Sequence, residues 1–222
     1  MCTASEELLP ASQRRSNIVP LARKIGRDQR RQQLIDATMH VLARKGYAQT
    51  TLSDVAAEAG VSHGLVNFHF ESKEKLLTTV LLFLSEEYRN NWQSALASAG
   101  AKPIEKLKAM LSADFNAEIC TAERLACWCS FWGEVQSRPL YQQECAANDD
   151  RYIQQLENIC GDLIAEGQYA LDAVTVARVL RFTSEGLWND MLSMNQPYSR
   201  GQALNTLFAC AAQFFPKHFS SA

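Results

Sequence analysis

This sequence has little with which to assemble a catalytic centre. It holds four histidines, at 40, 63, 69 and 218, so the stretch from 70 to 217 has none. No P-loop, G-x-G-x-x-G or H-E-x-x-H occurs. An all-α enzyme working with carboxylates or a cysteine is the catalytic alternative that stays open. No apolar run approaches the roughly 18 residues of a membrane span. Residues 1–22, MCTASEELLPASQRRSNIVPLA, lack the apolar core of a secretory signal. The expected setting is therefore cytoplasmic, with no membrane partner. Strand-like alternation and internal repeats are missing as well, which excludes sheet-based and solenoid folds.

Seven cysteines stand at 2, 120, 127, 129, 145, 160 and 210, and no pair is spaced C-x-x-C. An odd count within helical patterns points to reduced thiols. Cys127 and Cys129 are two apart on a helix and point in different directions, with no histidine nearby, so neither metal nor cofactor is expected. Cys120 and Cys127 are seven apart. They read either as buried small apolar side chains or as a redox pair.

What the chain does have is helical periodicity nearly throughout, which predicts an all-α fold. The first helix runs from about Asp28 to Lys45, with Leu34, Ala37, Thr38, Val41 and Leu42 as its stripe and Gly46 as its stop. From Thr51 to Leu77 the sequence is TLSDVAAEAGVSHGLVNFHFESKEKLL. Thr51 and Asp54 make a capping box, and Leu52, Val55, Ala56 and Ala59 one apolar stripe. Gly60 suits the left-handed end of a helix, and Ser62 caps the next. Val66 and Phe70 then pack back, which leaves His63, Asn67 and His69 polar on a short second helix. This is a helix-turn-helix whose second helix fits a DNA major groove.

The formal net charge of −2 hides an asymmetry. Residues 1–75 carry 11 Lys/Arg against 8 Asp/Glu, whereas 76–222 carry 11 against 16. Basic charge therefore gathers beside the helix-turn-helix, as phosphate binding requires. The expected organisation is a flexible extension over 1–26, a three-helix head over 27–75 and a larger helical body over 76–222. Arg14, Arg15, Arg23 and Lys24 of the extension either reach the DNA backbone or belong to a plain tail. Thr51 and Lys73, with Arg27, Arg30 and Arg31, are the candidate phosphate contacts. His63, Gly64, Leu65, Asn67 and His69 form the candidate base-reading surface, with Asn suited to adenine and Gly64 permitting close backbone approach, and the capping Ser62 is a further candidate DNA contact. Leu65 is open between a thymine-methyl contact and core.

At Ala56-Ala57-Glu58-Ala59-Gly60-Val61-Ser62, Phe68-His69-Phe70 and Lys73 the chain resembles the TetR family of transcriptional regulators. It departs from that pattern at Asn67, where the family often has tyrosine. The resemblance implies a homodimer on a palindromic double-stranded operator and release by a small-molecule inducer.

Further helices are expected from Ser72 towards Ala97, Pro103 to Glu118, Ala122 to Ser137, Leu140 to Gly167, Asp172 to Asn195 and Ser199 to Phe215. The last two have apolar stripes that either complete the core or, as the resemblance implies, pair with a second copy. Trp128 and Trp132 are four apart, and Glu185 and Trp188 three apart, so each pair shares a helix face. If those faces meet, three indoles and a carboxylate surround a cation, with Phe131, Tyr141 and Phe115 completing the wall. Ordinary core packing is the other reading. The segments W-x-x-F-W-x-x-x-x-x-x-P-x-Y from Trp128 and G-L-W from Gly186 resemble the BetI-type repressors of the betaine pathway. That resemblance implies choline or betaine aldehyde as inducer; a regulator of another small-molecule pathway is the alternative.

Overall fold

The structure, a computed structural model, describes residues 18–135 and 139–219, with side chains for 26–133 and 145–219. The described elements are helices without a strand: α1 (Ile18–Gln49), α2 (Leu52–Glu58), α3 (His63–Phe70), α4 (Lys73–Ser98), α5 (Pro103–Ala113), α6 (Ala122–Val135), α7 (Pro139–Gly167), α8 (Ala173–Ser193), α9 (Arg200–Phe214) and the single turn α10 (Pro216–Phe219).

Local chemistry sets most of these starts. Thr51, Ser62, Ser72, Asp172 and Ser199 each stand in extended geometry and accept a hydrogen bond from the backbone N–H three residues on. Each thereby satisfies a donor that the helix itself leaves free. Gly60 at φ +66 and Gly46 at φ +76 occupy the left-handed region that a residue with Cβ disfavours, so helical geometry fails at both positions.

Two boundaries differ from expectation. α1 begins at Ile18, so residues 18–26 are helical and not an extension; residues 1–17, including Arg14 and Arg15, lie outside the described chain. α5 stops at Ala113 and does not continue to Glu118. The Ala113 carbonyl, which a longer helix would use, accepts instead from Asn91 Nδ2 of α4 at 2.8 Å and from the Asn116 N–H at 3.2 Å. A tertiary hydrogen bond thus ends the helix and turns the chain inward at Asp114.

Two cores result. In the head, Leu34, Val41 and Leu42 of α1, Val55 of α2, Val66 of α3 and Leu77 of α4 are fully buried. Each such side chain contributes on the order of 1.5–3 kcal/mol. Cys127 and Phe131 of α6 belong to this same cluster, so α1 rests directly on the body. The second core lies between α4, α5, α7, α8 and α9 and includes Trp92, Leu107, Met110, Leu156, Leu163, Leu180, Leu207 and Phe215. Each helix buries one stripe at 3.6-residue spacing and leaves the other face in water.

Candidate functional site

The recognition helix α3 is held from behind and open in front. Val66 and Phe70 are buried at 0% and 3%, while His63, Gly64 and Asn67 are exposed and Leu65 and His69 half-buried. A Cβ added at Gly64 would meet nothing, so its backbone faces open space. Phe68 is 70% exposed and sets its ring edge-on to His69 at 5.5 Å. Burial, then the charges of Arg27, Arg31 and Arg30, hold the His69 imidazolium below its usual range. His69 therefore presents a neutral ring beside a cluster of three arginines. Phe68 escaped the sequence reading, although it lies between inward-facing Val66 and Phe70 on one helical turn and so had to face away.

The phosphate candidates divide into exposed and anchored groups. Thr51 takes the Asp54 N–H on its hydroxyl at 3.1 Å and donates to Asp54 Oδ2 at 2.9 Å, a closed capping box at the start of α2. Lys45 bridges the same carboxylate at 2.8 Å. The Ser62 hydroxyl caps α3 at Leu65. Lys73 donates from Nζ to the Ala48 carbonyl at 2.9 Å and lies over the Tyr47 ring at 5.4 Å. Arg31 covers the Phe70 ring at 4.8 Å and donates to Thr79 Oγ1 at 3.3 Å. Arg30 donates to Gln33, and Arg27 is exposed. Arg31 and Lys73 thus fix α1 and α4 around α3, while Arg27 extends the exposed surface.

In the body, a cavity of about 500 Å³ opens between α4, α6, α7, α8 and the turn after α5. The two helix faces singled out from sequence do meet there: Trp128, Phe131 and Trp132 from α6 face Glu185 and Trp188 from α8. Phe115 is corrected to core: it is 6% exposed, packs among the body residues and does not line the cavity. The Tyr141 side chain lies outside the described residues.

Tertiary structure adds a polar floor. Asp114 is 1% exposed. Its carboxylate accepts from Tyr88 of α4 at 2.8 Å, from Tyr152 of α7 at 3.1 Å and from Ser184 of α8 at 2.6 Å. Trp188 Nε1 donates to the Asp114 backbone carbonyl at 3.0 Å. Burial raises the Asp114 carboxyl to about 6, above what its three hydroxyl donors offset. The same burial raises the Tyr88 and Tyr152 hydroxyls well above their ordinary value. Nearer the surface, Arg181 binds Glu185 at 2.8 Å and lies 3.9 Å from Asp149. Among the described residues, the lining when fully ionised carries three carboxylates against one guanidinium, set among the rings of Tyr88, Trp128, Phe131, Trp132, Tyr152 and Trp188.

Part of this site had a signal in the sequence. Arg181, Ser184, Glu185 and Trp188 follow i, i+3, i+4, i+7 and so share one face of α8. Tyr88 continues the Leu77, Leu81, Leu84 stripe of α4. Asp114 had none beyond standing near a helix end. The cysteines separate likewise: Cys120 belongs to the body core and Cys127 to the head core, and burial pushes their thiols up to about 11 and about 12. A thiol in that state is a poor nucleophile.

An N-terminal helix-turn-helix set on an all-helical body with an internal cavity defines a class of DNA-binding regulator, and comparison with known proteins agrees. Residues 34–80 match the model of bacterial regulatory proteins of the tetR family, and 103–216 match that of the C-terminal region of BetI-type transcriptional repressors. The chain belongs to the TetR family of transcriptional regulators and, within it, to the BetI-type repressors. It is 31% identical over 185 residues to the transcriptional regulator BetI of Paraburkholderia phytofirmans, covering 82% of this chain and 91% of that one. To BetI of Agrobacterium fabrum it is 32% identical over 177 residues, covering 74% and 84%. Among solved structures, a transcriptional regulator from Pseudomonas aeruginosa PAO1 superposes with a TM-score of 0.74 at 27% identity, covering 86% and 93%. One from Saccharomonospora viridis, solved in complex with choline, gives 0.72 at 20% identity, covering 82% and 95%.

Proposed function

We propose that the protein represses transcription by binding a palindromic operator as a homodimer and is released when a quaternary ammonium compound, with choline or betaine aldehyde the leading candidates, fills the body cavity. The observation that carries this reading is the cavity itself, an aromatic-walled chamber with excess negative charge. Ring faces attract cations without needing N–H donors, and the surrounding carboxylates oppose any anionic inducer. That a structural relative was solved with choline supports the same chemistry.

In the head, residues 27–75, His63, Gly64, Asn67 and His69 read bases, with Leu65 and the exposed Phe68 offering apolar contact to thymine methyls. Thr51, Ser62, Lys73 and the N–H groups at their helix starts face phosphates, joined by Arg27, Arg30 and Arg31. In the body, residues 76–222, α8 and α9 pair two copies. The unpaired chain leaves Val179 and Phe182 of α8 at 37% and 59% exposure, which supports that face. Two heads about 34–36 Å apart then reach successive major grooves. The protein acts in the cytoplasm, without a membrane partner and without catalysis.

Release follows from packing. Phe131 lines the cavity, lies in the head core and sets its ring 6.1 Å from Tyr47 of α1. A ligand that prefers one position of α6 shifts α1 and α4 with it, and with them the spacing of the two α3 helices. Operator binding to the upstream DNA, measured with and without choline and betaine aldehyde, tests the whole reading. Sequence-specific binding that weakens steeply between 50 and 200 mM salt and is released by either cation is expected. Specific binding indifferent to both cations would leave a regulator with another inducer.

A further inference from the structure

The sequence nominates Glu185 as the carboxylate that meets the ligand. We propose instead that Asp114 is the counter-charge that selects the ligand, with Glu185 held in a neutralising pair nearer the surface; this rests on the cation reading of the cavity.

Arg181 accounts for Glu185. The two are four apart on α8 with Nε and Oε1 at 2.8 Å, and the guanidinium also lies 3.9 Å from Asp149. The outer part of the cavity therefore offers an incoming cation a carboxylate that is already matched by a cation. Asp114 has no such match. Among the described residues, no lysine, arginine or histidine stands within ion-pair distance of its carboxylate.

The groups facing Asp114 come from each helix packed on it. They are Tyr88 from α4, Tyr152 from α7, and Ser184 and Trp188 from α8, with Glu185 adding a repulsive charge. All are neutral or negative. An ionised carboxylate buried without a counter-ion is destabilising, and a ligand cation seated beside it would offset that cost.

The hydrogen bonding narrows the ligand class. A carboxylate has about four lone-pair sites, and three hydroxyl donors already converge on this one. Little acceptor capacity is left for an ammonium N–H, whereas a quaternary ammonium asks for none. It interacts through charge and through the rings of Tyr88, Tyr152 and Trp188 around it.

The test is calorimetric titration of wild type, Asp114→Asn and Glu185→Gln with choline and with its uncharged isostere 3,3-dimethyl-1-butanol. For choline, a loss of at least about 50-fold is expected in Asp114→Asn and under about fivefold in Glu185→Gln; the isostere should change less than about threefold in both. A larger loss in Glu185→Gln than in Asp114→Asn overturns the assignment. The wild type alone supplies a second readout. Because the empty site titrates at about 6, choline affinity should fall about tenfold from pH 7.5 to 5.0 while the isostere stays level. A flat choline profile overturns the assignment even if Asp114→Asn does not fold. No binding of choline to wild type defeats the cation reading itself, a result distinct from either.

Discussion

The head and the body of this protein put their functional groups to opposite use. In the head, the groups offered to a partner lie on the outward side of one eight-residue helix, α3, whose inward side is core. In the body they converge from α4, α6, α7, α8 and an irregular turn on an interior cavity. A surface that reads DNA has to be exposed and rigid, so its polar groups carry little stability and its support lies behind it. A chamber that recognises a small cation has to remove charge from water, so its polar groups are bound up with the fold. Function and stability should therefore separate in the head and interfere in the body.

Phe131 is where the two regions meet, and its removal should have the largest effect. The ring is 1% exposed and shared between the head core and the cavity wall. Phe131→Ala is expected to lower stability by about 3–5 kcal/mol and to weaken the response of operator binding to ligand, as read by denaturant unfolding and by operator titration with and without choline. Unchanged release by choline would mean that the regions communicate by another route.

Next comes Asp114. Its carboxyl titrates at about 6 in the fold against 3.8 in the open chain, so between these values the folded protein holds the extra proton. Stability from this group is therefore highest at low pH and falls as pH rises from about 4 to about 6, by at most about 3 kcal/mol, then stays at the lower level. Unfolding of Asp114→Asn should lack that slope. Relative to wild type, the variant should gain about 2–3 kcal/mol between pH 4 and 7.5 while losing affinity for the cation. Parallel stability profiles for the two proteins would contradict the interference of function with stability in the body.

The head should show the reverse behaviour. Asn67→Ala removes an exposed side chain that makes no hydrogen bond among the described residues, and its unfolding free energy is expected within about 0.5 kcal/mol of wild type. Operator affinity should nevertheless drop by about 1–3 kcal/mol, concentrated at one base position. An equal loss on all sequences would reassign Asn67 to the backbone. The smallest expected effect is Thr51→Ala, which opens the capping box and lowers stability by about 1 kcal/mol; its operator affinity should fall uniformly across sequences, as for a phosphate contact.

The comparison also explains what was legible in advance. Thr51, Ser62, Ser72, Asp172 and Ser199 were readable as helix starts because a cap acts within three residues of itself. Gly46 and Gly60 were readable as stops because the left-handed backbone is a property of the residue. Val66 and Phe70 against Asn67 followed from helical spacing alone, and so did the shared faces of Trp128 with Trp132 and Glu185 with Trp188. Phe115 was misplaced because an aromatic ring near a helix end carries no mark of which way its turn will face.

By itself, then, the sequence determined the all-α class, most helix boundaries, the helix-turn-helix and the two aromatic faces, since each depends on interactions within about one or two turns of chain. Only the tertiary structure decided that those faces enclose a chamber and that α5 ends at Ala113 because Asn91 takes its last carbonyl. It alone decided that Asp114 is left buried among three hydroxyls with, among the described residues, no cation beside it. Those outcomes hang on partners 22 to 70 residues apart in the chain, and at such separations the choice of partner is made by packing and not by local preference.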